Sequence, residues 1–390
     1  MNEVVIIGGG VVGCAIASFL LADTAFGGRV TVIERDPAYR QASSALSASS
    51  IRQQFTTPLN IALSRDSVAF LRDAGEHLAV AGDRPDIGLV EGGYLYLASP
   101  EGAATLERNH ALQRAHGVDV ALLDREALAA RFPWLAVDGL ACGALGLSGE
   151  GWFDGYALLQ GFARKARAQG ARFVHAEAVA MDAGGGRVHG VRLADGTRVR
   201  GDVFVNACGP WAARVAAWLD IDLPVRARRR SVFAFACPTP IAGCPLVIDP
   251  SGLWFRPEGR GRFICGASPV PEADDDDLPL DVDHALFNAT LWPVLATRVP
   301  AFEALRVTGA WSGYYEYNTF DQNGIVGPHP AWPNLLFANG FSGHGLQHAP
   351  AVGRAVAELV VHRAYRTLDL SPLAFERIAA NAPLIEANVI

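Results

Sequence analysis

The 390-residue sequence predicts an α/β fold in which a strand–turn–helix domain, interrupted and later resumed along the chain, is combined with a second, strand-rich domain. Three observations predict it. The chain opens on an apolar β-branched run, Val4 to Ile7, that passes into Gly8, Gly10 and Gly13 in G-x-G-x-x-G spacing and then into a helical segment, Cys14 to Leu21. The same succession of apolar strand, small-residue turn and helix returns in VFVNACGPWAARVAAWL, Val203 to Leu219, and in LLFANGFSGHGLQHAPAVGRAVAEL, Leu335 to Leu359. Between these units lie runs of short strands.

The opening unit reads as a dinucleotide site. Gly8 permits the tight turn, Gly10 lets a pyrophosphate approach the backbone, and Gly13 lets helix and strand pack closely. The anion then sits on the helix N-terminus, where free N–H groups favour negative charge. A second β-branched run, Val30 to Ile33, ends at Glu34, about 20 residues past the last glycine, where a carboxylate can accept both ribose hydroxyls of an adenosine and repels a 2′-phosphate. This motif alone does not distinguish NAD from FAD.

Length favours two domains. With 50% hydrophobic and 19% charged residues the chain is globular, and a net charge of −7 gives no reason to expect nucleic acid. No apolar run reaches the length of a membrane span, so an integral membrane protein is not expected. Met1 runs almost directly into the first strand without a secretory signal, which favours the cytoplasm. The six cysteines lack C-x-x-C spacing and read as reduced thiols, with no metal site. Lys165 is the sole lysine.

After Asp36 the Ser-rich segment Gln41 to Pro58 lacks sustained periodicity. Its hydroxyls and amides suit phosphate and sugar oxygens, against the alternative of a solvated loop. Helices are expected at Asn60 to Ala74, Glu101 to His116, Leu122 to Leu135 (after a cap at Asp124) and Tyr156 to Gln169. Asp220 to Gly309 is strand-rich, with a hairpin turn at Pro257 to Gly261. The acidic run Glu272 to Asp281 reads as a solvated turn, since no Gly or Glu completes a calcium-loop spacing. The predicted division is 1–85, 146–219 and 320–390 for the nucleotide domain, and 86–145 and 220–319 for the other. A nucleotide domain broken in this way argues for an extended FAD.

The run VVIIGGGVVG with Glu34, the loop SSALSASSIRQQF, the strand VNACGPWA and the C-terminal GFSGHGLQHAPAVGRAVAEL together resemble the D-amino-acid oxidase superfamily of FAD-dependent amine oxidoreductases, which includes sarcosine oxidase, glycine oxidase and D-amino-acid dehydrogenases. The resemblance spans essentially the whole chain. It implies a discontinuous Rossmann-like FAD-binding domain and a substrate domain built on a mixed, mostly antiparallel β-sheet. The implied reaction oxidises a CH–NH bond of an amino acid or N-substituted amino acid to an imine by hydride transfer to flavin, followed by hydrolysis. One branch of the family implies an alternative, a flavin-binding respiratory-complex assembly or scaffold protein with vestigial catalysis.

The expected cofactor-binding residues are Gly8, Gly10, Val12, Gly13, Glu34, Arg35, Ser43, Ser44, Ser49, Ser50, Val179, Ala207, Gly209, Trp211, Gly343, His344, Gly345, Leu346 and Gln347. Glycines 340, 343 and 345 let backbone approach a planar ring, and the following helix aims its N-terminus where reduction builds negative charge. His344 is either catalytic or merely hydrogen-bonded. Arg52 occupies the place of a carboxylate-holding arginine, against a surface reading. Arg229 and Arg230 are similar in position to a substrate-binding arginine, against a cationic strand end. Where many relatives carry an arginine after Trp-x-Gly, here Trp311 to Gly313, this chain has Tyr314 and Tyr315. Tyr314, Tyr315, Tyr317 and Trp254 form either an aromatic cage for an amine or a core stripe. The flavin-linking cysteine and dioxygen-reactive lysine of sarcosine oxidases are missing, which implies non-covalent FAD. It also favours a dehydrogenase passing electrons to a quinone or other carrier over an oxidase using dioxygen.

Overall fold

The computed structural model describes residues 3–270, 272, 274 and 279–388. Its first sheet has six strands in the order Ile325–His329, Trp332–Asn339, Val203–Asn206, Glu3–Ile7, Arg29–Glu34, Arg172–His175. All neighbours run parallel except the outermost pair, Ile325–His329 with Trp332–Asn339. A parallel sheet buries both faces, and the alternation of side chains along Glu3–Ile7 assigns them. Val4 and Ile6 join the core under helices Val11–Ala22, Pro58–Arg72, Gly155–Ala168 and Gly345–His362. Val5 and Ile7 face the opposite core, shared with the antiparallel ribbon Ala178–Gly184, Arg187–Leu193, Arg198–Arg200 and the helix Ala212–Ala217. Helix Gly155–Ala168 starts where the Asp154 side chain accepts from the Ala157 amide at 2.9 Å.

The second sheet has eight strands, ordered Arg306–Asn318, Val225–Ala236, Arg262–Gly266, Trp254–Pro257, Leu246–Ile248, Tyr94–Ala98, Cys142–Gly146, Val120–Asp124. It is antiparallel apart from the pairing of Leu246–Ile248 with Tyr94–Ala98, so it is mixed and mostly antiparallel. One face packs Leu95, Phe233, Phe235 and Phe255 against Leu291, Leu295 and Phe302. The other carries Tyr94 and Tyr96 with Trp254 beside them and turns toward the first sheet.

Three expectations need correction. Leu122 and Leu123 belong to the edge strand Val120–Asp124, paired with Cys142–Gly146, and the helix is only Arg125–Arg131; strand pairing overrides local helical pattern here. Asp124 still caps that helix, accepting from the Ala127 amide at 2.8 Å. The Ser-rich segment is not all loop: Ser43–Leu46 makes a helical turn and Ser50–Ile51 pairs with Gly151–Trp152. The acidic run is tied down where it is described, Glu272 to Arg230 at 2.5 and 3.0 Å and Asp274 to Arg228 at 2.7 Å. Ala273 and Asp275 to Leu278 lie outside the described residues. Among the described residues no helix is long and apolar enough to cross a membrane.

Candidate active site

A cavity of ≈ 330 Å³ runs between the two sheets, walled by the opening glycine turn at one end and by Arg52, Tyr94, Tyr315 and Trp254 at the other. At the nucleotide end Gly8 has φ +100°, and an added Cβ would collide with the Ala207 carbonyl. Gly10 differs. Its φ is −66°, and a Cβ there would meet only Ser44 Oγ at 3.5 Å, so neither backbone nor packing demands glycine; what a Cβ would fill is the cavity itself. Gly10, at the N-cap of helix Val11–Ala22, offers no side-chain cap, the first turn holds no acidic residue, and the Val11 amide donates to Ser44 Oγ at 3.2 Å. A helix start of this kind, open to the cavity, suits an anion.

Glu34 Oε2 accepts the Gly9 amide and Oε1 the Asp36 amide, each at 2.8 Å. Burial raises its carboxyl pKa, against the lowering effect of those two amides. Each oxygen retains acceptor capacity toward ribose hydroxyls. Beside it the Arg35 guanidinium lies 3.9 Å from the Trp211 ring centroid, and both line the cavity.

Toward the other end the turn 340–344 enters the 18-residue helix Gly345–His362, which has no side-chain cap and no acidic first turn. Gly343 has φ +91°, and a Cβ would strike the Tyr315 ring at 2.6 Å. His344 is 3% exposed, and among the described residues neither ring nitrogen has a hydrogen-bond partner. Burial, and then the Arg52 charge, pushes its pKa down to about 3, so it is neutral at physiological pH. Gln347 Oε1 accepts the Arg52 amide at 2.8 Å, joining this helix to the Ser-rich segment.

Arg52 is no surface residue: it is 6% exposed and on the cavity wall. Its Nη1 donates to Gln54 O at 2.9 Å, its Nη2 to Asn388 O, and its guanidinium carbon lies 4.0 Å from the Phe55 ring centroid. The fork keeps N–H groups in hand beyond those two bonds. Around it stand Tyr94, whose hydroxyl donates to Ser50 Oγ at 2.5 Å, and Tyr315 under Arg230, whose guanidinium carbon is 4.9 Å from the ring centroid.

Of the residues expected from sequence, most stand on this wall; Gly13, Val179 and Arg229 do not. Gly13 is packed behind it, where a Cβ would overlap the Gly8 carbonyl. Val179 is 45% exposed on strand Ala178–Gly184 and its neighbour Ala178 faces the cavity, because successive strand residues face opposite ways. Arg229 directs Nη1 to Pro279 O at 3.2 Å near the surface, while Arg230, 9% exposed, reaches the wall. Of the four aromatics, Trp254, Tyr314 and Tyr315 line the cavity and Tyr317 does not. Arg228 covers the Tyr317 ring at 3.7 Å away from the wall, and Tyr314 packs edge-on to Trp211 at 6.0 Å. Lys165 is also remote, its Nζ donating to Ala79 O at 2.9 Å.

Two carboxyls were not anticipated. Glu316 is on the wall and accepts the Gly340 amide at 3.1 Å; burial raises its pKa to about 8. Glu386, near the chain's end, accepts from the amide and hydroxyl of both Thr56 and Thr57 and from Asn60, all at 2.6 to 3.2 Å. Burial pushes this carboxyl up, but the Thr56 and Thr57 bonds and the Arg52 charge outweigh it and hold the pKa below the ordinary carboxylate value. Only local glycine and strand patterns are legible in sequence; these partners are brought in by long-range pairing.

Sequence comparison matches residues 3–359 to the DAO family model, described as FAD dependent oxidoreductase. FAD-dependent oxidoreductase domain-containing protein 1 of Xenopus laevis is 44% identical over 422 aligned residues, spanning 100% of this chain and 85% of that protein. Glycine oxidase of Geobacillus kaustophilus is 30% identical, covering 96% of this chain and 97% of its own. Among solved structures, L-proline dehydrogenase from P. horikoshii superposes with a TM-score of 0.86 at 26% identity over 98% of this chain and 99% of that one. The uncapped helix ends, the glycine cradle and the Glu34 carboxylate fit the cofactor which that family uses, and the chain belongs to the DAO family of FAD-dependent oxidoreductases.

Proposed function

We propose that this flavoprotein oxidises the CH–NH bond of an amino acid or N-substituted amino acid, with the substrate carboxylate held by Arg52. FAD, when held in this cavity, would supply the two-electron acceptor for the hydride of the substrate α-carbon, leaving an imine for water to hydrolyse. The first turn of Val11–Ala22 would hold the pyrophosphate, Glu34 the adenosine ribose, and Gly343, His344 and Gly345 the flavin ring. The observation that carries the reading is the buried Arg52 guanidinium, which faces the cavity near Tyr315 with N–H groups beyond its two backbone bonds. A fork of that kind fixes a carboxylate in position and orientation. Tyr315 and Trp254 supply apolar walls that exclude water from the reacting carbon. His344, uncharged, adds no cation to repel an amine.

The sole lysine is far from the cavity, which supports delivery of electrons to a quinone or other carrier in preference to dioxygen. Anaerobic addition of D-amino acids, proline-like imino acids and N-methyl glycines tests the function. At least one carboxylate-bearing amine is expected to bleach the flavin absorbance. No bleaching by any member of the panel would overturn the catalytic reading in favour of a flavin-binding assembly protein.

A further inference from the structure

We propose that Glu316 couples a proton to flavin reduction: its carboxyl, wedged beneath the Gly340–Gly345 turn at the start of helix Gly345–His362, leaves that helix end free to stabilise negative charge only while it holds its proton. This rests on the ring placement proposed above. The geometry is specific. Glu316 Oε2 accepts the Gly340 amide at 3.1 Å, and Oε1 lies 2.7 Å from where a Gly345 Cβ would stand. Oε2 is 3.7 Å from the equivalent point on Gly209, so one carboxyl spans the two glycine turns that border the cavity.

Burial opposes its charged form, and the amides of Gly340 and Phe341 are the groups that favour it. On the adjoining strand its register partner is Ala227; Arg226 and Arg228 alternate to the other side, Arg226 donating to Val225 O and Arg228 bound to Asp274. Cys208, on the neighbouring turn, donates its thiol to Ile7 O and is kept neutral by burial. Arg35 is stacked on Trp211, Arg214 lines the cavity wall, and His344 is neutral. Burial, opposed by the Gly340 and Phe341 amides, raises the Glu316 pKa to about 8, so its proton is present at neutral pH.

The sign follows from linkage. Two electrons and one proton reach the ring as hydride, making it more negative. A carboxylate beside it would be repelled, so reduction raises the proton affinity of Glu316, which takes one further proton from solvent. Conversely, ionised Glu316 makes the ring harder to reduce. Glu316→Gln keeps the acceptor for Gly340 and mimics the neutral form.

The test is the midpoint potential of the FAD-loaded protein measured from about pH 6 to about pH 10, wild type against Glu316→Gln. The two curves are expected to run parallel at the acid end and to diverge through the alkaline half. There the wild type takes two protons per two electrons, and the ratio of reduction equilibrium constants changes by up to about tenfold per pH unit. A constant separation across the whole range overturns the proposal. The ring placement is read separately from the flavin absorption of His344→Leu. A spectrum unchanged from wild type counts against the placement, whereas a shifted spectrum with parallel potential curves rejects the Glu316 coupling alone.

Discussion

Removing Arg52 offers the sharpest check on the substrate assignment, because its predicted effect depends on what the substrate carries. Arg52→Ala deletes the fork, and Arg52→Lys keeps the charge near Glu386 while losing the planar pair of donors. A hydrogen bond to a charged group contributes about 1.5 to about 3 kcal/mol, which corresponds to about 10- to about 150-fold in affinity. Apparent dissociation constants come from anaerobic stopped-flow reduction, measured for one carboxylate-bearing amine and for its analogue lacking the carboxylate. The alanine variant should weaken only the first, with the lysine variant between. The bonds from Arg52 to Gln54 O and Asn388 O are lost as well, so thermal unfolding of each variant must be followed in parallel. Equal weakening of both amines would mean that Arg52 supports the wall and holds no carboxylate, and the reasoning would be refuted.

Three further outcomes follow from particular contacts. Gly10→Ala should lower FAD affinity by about tenfold or more while costing the apoprotein under about 1 kcal/mol, since its Cβ points into the cavity; titration of apoprotein with FAD decides, and unchanged affinity contradicts the cradle. Gly8→Ala combines φ +100° with a collision against the Ala207 carbonyl and should cost more than about 2 kcal/mol in urea unfolding. The folded Glu386 pKa is depressed, so its contribution is present above the unfolded carboxylate pKa and lost as pH falls through the folded one; Glu386→Gln should destabilise at neutral pH and flatten the acid limb of the stability profile, and an unchanged limb would remove Glu386 from that role.

How far the site could be read from sequence depended on the range over which each feature is determined. Gly8, Glu34 and the turn before Gly345 are set by neighbours within one strand–turn–helix unit, and each stands where its spacing placed it on the cavity wall. Arg229 and Val179 missed the wall by one residue. A strand fixes its own alternation, but which parity faces inward is decided by what it packs against, here the distant partner strand Arg306–Asn318 for Arg229, while Val179 lies in a hairpin with Arg187–Leu193. The expected helix from Leu122 failed for a related reason, since Cys142–Gly146 supplies a strand partner that no window around Leu122 contains.

Gly345 shows what a glycine in sequence does and does not specify. In sequence its lack of a Cβ offers room for a planar ring, yet the nearest atom to that missing Cβ is Glu316 Oε1 at 2.7 Å. Close approach was therefore legible, and the identity of the approaching group was not. The two readings share one geometry. A carboxyl pressed against the first residue of an uncapped helix occupies the very potential that a ring at Gly343 would use. Residues 316 and 345 are 29 positions apart and meet only because the strand ending at Asn318 runs beneath the turn 340–344, held there by Ser342 bonded to Glu316 O and Asn318 N at 3.0 Å each. Helix and carboxyl act on this end of the cavity together, since the negative charge of an ionised Glu316 offsets the positive potential of the helix N-terminus.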